Sequence, residues 1–69
     1  MERNIRLNWP ALVEEAIRRR QEQKLTQKEL AVLAGVSGPT VNTFEQKKTT
    51  ITLASAMKIL RCLGLLARD

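Results

Sequence analysis

Between Gly38 and Thr49 the chain reads GPTVNTFEQKKT, in which short neutral hydrogen-bonding side chains precede two ammonium groups. Asn42 offers a donor and an acceptor side by side, as the exposed edge of an adenine requires. Thr40 and Thr43 each bring a hydroxyl and a methyl, and Pro39 adds an apolar ring. Methyl and ring both suit thymine methyls. Gly38 has no side chain and can be read only through its backbone. This is the chemistry of recognition. Catalysis finds no support: histidine is absent, Cys62 is the only cysteine, and no nucleophile stands beside a base. No Cys/His cluster suits a metal and no loop cradles phosphates, so neither an enzyme nor a cofactor is expected.

Those residues need elements to hold them, and the strongest signal lies in Leu25 to Glu45, LTQKELAVLAGVSGPTVNTFE. Thr26 with Glu29 three residues on makes a capping box for a helix over about 27–34. Leu30, Leu33 and Ala34 give it an apolar stripe. Gly35 stands where a helix end favours a left-handed residue. Ser37 caps the next helix, over about 38–45, and Pro39 falls in its first turn, where the missing N–H costs little. Val41 and Phe44 point back toward the first of the pair. Two helices this short cannot stand alone. They make sense as a helix-turn-helix whose second helix presents its outer face to a DNA major groove.

The rest of the chain supplies the support. Asn8 followed by Trp9-Pro10 is a helix start, and that helix runs to about Gln23 with Leu12, Val13, Ala16, Ile17 and Arg20 on one face. Trp9 reads as a core or helix-start anchor. Residues 46–51 read as a polar loop. A further helix begins after the cap Thr52 and ends near Leu63. Its apolar positions Leu53, Ala56, Met57, Ile59, Leu60 and Leu63 span a wide arc, with Cys62 on the polar side. Leu65 and Leu66 extend the apolar set, with a short fifth turn after Gly64. The expectation is one all-α domain over residues 9–69, preceded by an arm over 1–8.

Bulk properties agree. Sixty-nine residues with 43% hydrophobic content make one small core. Twelve basic and seven acidic residues give a net charge of +5, which favours a polyanionic partner, although a basic surface also aids solubility. One cysteine allows no intrachain disulfide and suits a reducing cytoplasm. Neither a signal-peptide pattern nor an apolar run of membrane-spanning length is present, so no membrane partner is expected.

LTQKELAVLAGVS, TVNTFEQKK and TLASAMKILRCLGL stand in the order and spacing of the phage-repressor helix-turn-helix family, the Cro/XRE type. From about Ala16 to Leu65 the chain resembles that family. The resemblance implies a compact four- to five-helix bundle of the lambda-repressor-like type. It also implies a DNA-binding transcriptional regulator acting as a homodimer on a roughly palindromic operator in double-stranded DNA. Gly38, Pro39, Thr40, Asn42 and Thr43 match positions that touch base edges or nearby backbone. Phosphate contacts are expected from Gln27 and Lys28 at the start of helix 2, and from Gln46, Lys47, Lys48 and Thr49 after helix 3. Arg20 and Glu45 match positions that form a partly buried ion pair bracing the reading helix. The alternative for Arg20 is a surface basic run with Arg18 and Arg19. Two departures stand out. Where the family commonly carries E-x-G-K, this chain has Glu45-Gln46-Lys47-Lys48, so Lys47 must adopt the glycine's conformation or the turn must differ. The chain given also ends at Asp69, which leaves the family's last helix short or missing.

Helix 3 carries no arginine or lysine, so a bidentate guanine contact is missing and an A·T-leaning site is expected. The bland alternative is a solvated polar face. Leu65 and Leu66 either form a dimer surface or close the monomer core. The arm either pairs across a dimer or sends Arg3 and Arg6 toward a minor groove. Three functions compete: a sequence-specific repressor, an antitoxin that also binds a toxin partner, and an interaction module that has lost DNA binding.

Overall fold

The computed structural model describes residues 8–66. Four helices follow in order: α1 (Trp9–Glu22), α2 (Gln27–Ala34), α3 (Gly38–Glu45) and α4 (Leu53–Cys62). There is no strand among the described residues. Every helix begins with a side-chain cap that satisfies an otherwise orphaned amide. The Asn8 carboxamide accepts from the Ala11 amide, the Ser37 hydroxyl from Thr40 and the Thr52 hydroxyl from Ser55. At α2 the exchange is reciprocal. The Glu29 amide donates to the Thr26 hydroxyl at 3.0 Å, and the Thr26 amide donates to the Glu29 carboxylate at 2.8 Å.

Helix ends share one device as well. Lys24, Gly35, Lys47 and Gly64 all have positive φ. In each case the following amide turns back to a carbonyl five residues earlier: Leu25 to Arg20, Val36 to Ala31, Lys48 to Thr43, Leu65 to Leu60. This closes the last turn in the manner of a Schellman motif. Two of the four positions are lysines, and only Lys47 was marked beforehand, by the family resemblance.

The core is built from all four helices. Val13 and Ala16 of α1, Leu30 and Ala31 of α2, Val41 and Phe44 of α3, and Ile59 and Leu60 of α4 are buried together with Leu63. Trp9 packs edge-on against Phe44, with centroids 5.5 Å apart and planes at 90°, the arrangement that ring quadrupoles favour. Several expectations need correction. Leu33 leaves the inner stripe and is 62% exposed. The buried arc of α2 is centred on Leu30, Ala31 and Ala34, and at about 100° per residue Leu33 falls outside it. Leu53 opens α4 beyond the edge of the core and is exposed too. Met57 is half-buried and does not join the core cluster, whereas Cys62 packs against it. No helical turn follows Gly64 among the described residues; instead Leu65 and Leu66 close over the core of the same copy. All but the last residue of the expected arm lies outside the described residues.

Candidate nucleic-acid interface

Helix α3 is seated by its inner side. Val41 and Phe44 are fully buried, while Pro39, Asn42 and Gln46 are exposed and Gly38, Thr40 and Thr43 are half-buried. The Thr40 hydroxyl shares a 2.7 Å hydrogen bond with that of Ser37, which fixes the first turn of the helix. Gly38 has ordinary helical φ, and a Cβ there would meet nothing within 4 Å. The backbone at the mouth of α3 is therefore open to an approaching surface.

A shallow cleft of about 290 Å³ runs beside this face. Pro39, Thr40 and Thr43 form one wall, and Thr50, Ile51, Thr52 and Ser55 the other. Spacing could not bring the second wall to α3, because Thr50 and Ile51 read only as loop and Thr52 only as a cap. The threonine and serine hydroxyls make the cleft a row of neutral hydrogen-bonding groups.

Glu45, the last residue of α3, is the anchor of the helix. Its carboxylate receives Nε of Arg20 at 2.6 Å, Nη2 of Arg20 at 3.1 Å and the side-chain amide of Gln27 at 2.8 Å. The remaining guanidinium nitrogen of Arg20 donates to the Leu25 carbonyl at 2.8 Å. The Arg20 and Glu45 side chains are 14% and 8% exposed. A carboxylate at a helix C-terminus opposes the helix dipole, and the fork of Arg20 offsets it. One carboxylate thus ties α1, the start of α2 and the end of α3 into a single frame. Gln27 was expected at a phosphate. Here one of its amide hydrogens is already committed to Glu45.

Lys47 is also engaged. Its ammonium donates to Glu14 of α1 at 2.6 Å, and that hydrogen bond, with the charge behind it, holds the Glu14 carboxyl below its ordinary pKa. Lys48 and Thr49 beside it are exposed, as is Lys28 on α2. On the outer side of α1, Glu15 takes hydrogen bonds from Arg18 and Arg19, which lower its pKa in the same way. Arg19 reaches further. Its Nη1 donates to the carbonyls of Leu63 and Gly64 at 3.1 and 3.2 Å, and so straps the end of α4 to α1. Its place in a run of three arginines hid that role.

Among the described residues, no cluster of His, Cys, Asp or Glu could hold a metal. No described helix is long and apolar enough to cross a membrane. A family model described as helix-turn-helix matches residues 17–67, most of the chain. No curated protein matches it.

Proposed function

The chain belongs to the Cro/XRE-type helix-turn-helix family, whose members are DNA-binding domains and not enzymes, and on that premise we propose that it is a sequence-specific transcriptional regulator. It acts in the cytoplasm as a homodimer on a two-fold symmetric site and represses by occupying it. The observation that carries this reading is the seating of α3: buried apolar residues behind, a braced C-terminus, and a neutral polar face in front.

In this reading α3 lies in the major groove. Asn42 hydrogen-bonds an adenine edge, and Thr40, Thr43 and Pro39 meet hydroxyl-compatible and methyl-bearing positions. Gly38 lets the backbone approach. The start of α2, with Gln27 and Lys28, takes one phosphate, and Gln46, Lys47, Lys48 and Thr49 take another on the far side of the groove. A single helix of this kind makes few base contacts, so two copies about one helical turn apart supply the rest.

The test is selection of sites from a random duplex pool at moderate salt. Enrichment of a symmetric, A·T-leaning site with half-sites about one turn apart supports the reading. Weak salt-sensitive binding without enrichment would overturn it. The phosphate assignment has its own check. Lys47→Ala with Lys48→Ala weakens binding to all sequences alike and lowers the salt slope by roughly two contacts. An unchanged slope removes both lysines from the interface.

A further inference from the structure

We propose that the outer face of α2, continued onto α4, is a docking surface for an acidic amphipathic segment of a partner protein. This goes beyond DNA recognition and uses none of the residues lining the cleft beside α3; of the residues assigned to DNA, Lys28 alone also lines this surface.

Val32 and Leu33 are large apolar side chains, 76% and 62% exposed, and adjacent in sequence. They sit in a groove of about 460 Å³ whose third apolar wall is Leu25. Leu33 also lines an adjoining groove of about 330 Å³, which Lys58 and Arg61 of α4 border. The surface is therefore continuous: an apolar floor on α2 and a cationic edge on α4. Among the described residues neither Lys58 nor Arg61 is in an ion pair. At the rim of the floor, Glu29 accepts the Thr26 amide through one carboxylate oxygen, and its charge is offset by the neighbouring Lys28, so Lys58 and Arg61 leave the surface net cationic. Two large apolar side chains exposed side by side are a small patch, and it is the cationic edge beside them that gives the surface its selectivity.

Charge decides the occupant. A second copy docking by two-fold symmetry would set this net-cationic face against itself, with no acidic flank to pair with Lys58 and Arg61. A segment with an apolar stripe and a flank of aspartate or glutamate fills the floor and pairs with the edge at once. That is the helix-in-groove mode of recognition with a charge filter added.

The probe is a synthetic amphipathic peptide of about 15 residues, with leucine at helical spacing and glutamate on one flank. It is titrated into the isotope-labelled full chain by NMR. Saturable shifts confined to Val32, Leu33, Ala34, Lys58 and Arg61 are expected. Val32→Ser with Leu33→Ser weakens the peptide by at least about tenfold, through loss of two apolar contacts. The same variant keeps its melting temperature and its affinity for duplex DNA. Lys58→Glu with Arg61→Glu also weakens the peptide, and a matching peptide with lysine for glutamate restores binding to that variant. Three results overturn the proposal. One is no saturation up to about 1 mM peptide. Another is shifts on α3 in place of α2, which would make the peptide a mere mimic of nucleic-acid charge. The third is concentration-dependent self-association mapped to the same face.

Discussion

Lys47 holds two roles that pull against each other. Its φ of +66 is a conformation that a side chain resists by about 1 kcal/mol, and that glycine adopts freely. Its ammonium, however, bridges to Glu14 and stands beside the exposed Lys48. Lys47→Gly relieves the backbone and gives part of the gain back through the freedom of the unfolded chain. The lost ion pair is exposed and contributes little. The expected outcome is a melting temperature a few degrees higher, read by circular dichroism, together with a salt slope for DNA binding lower by about one. A lower melting temperature would show that the bridge to Glu14 outweighs the strain. A lysine at the glycine position is therefore a trade of stability for charge at the loop after α3.

At the scale of elements, the frame that holds α3 turns on Arg20. Arg20→Met keeps most of the apolar stem but leaves Glu45 with only the Gln27 amide, in a site where its side chain is 8% exposed. Removing one partner of a buried pair costs about 3 kcal/mol. For a domain this size that lowers the melting temperature by well over 10 °C. An unchanged melting curve would mean that the pair is wet and that α3 is held by Val41 and Phe44 alone. All four helices were legible in the sequence, because cap residues and apolar spacing act locally and Thr26, Ser37 and Thr52 advertise themselves. The pairing of Arg20 with Glu45 was legible through family resemblance. Other features depend on what lies across the fold. Leu33 looked internal because spacing alone cannot tell where the centre of the buried arc falls. Thr50, Ile51, Thr52 and Ser55 reach the wall beside α3 only through the path of the loop and the entry into α4. Lys24 ends α1 with positive φ in a residue type that gives no such signal.

For the whole molecule, acid is the informative perturbation. Glu14 and Glu15 both have pKa values lowered by hydrogen bonds from lysine and arginine. Their folded values lie below those of the unfolded chain, about 4.3. The stability they contribute is complete above that value and is lost as pH falls through the lowered folded values. Thermal stability should be flat from neutral pH to about 5 and decline below about 4.5, where the growing positive charge adds self-repulsion. Both carboxylates are reached by solvent and screened, so Glu14→Gln with Glu15→Gln should flatten the early part of that decline only slightly; a large flattening would show that the pairs contribute more than exposed pairs ordinarily do. The edge-on contact of Trp9 with Phe44 has an optical consequence. Trp9 is the only tryptophan and tyrosine is absent, so a single indole carries the intrinsic emission of the protein. Its Nε1 is buried without a hydrogen-bond partner among the described residues, so a blue-shifted emission maximum is expected, red-shifting on unfolding. Because its neighbour is Phe44 on the inner side of α3, the colour of that emission reports, without any label, whether α3 is in its seat.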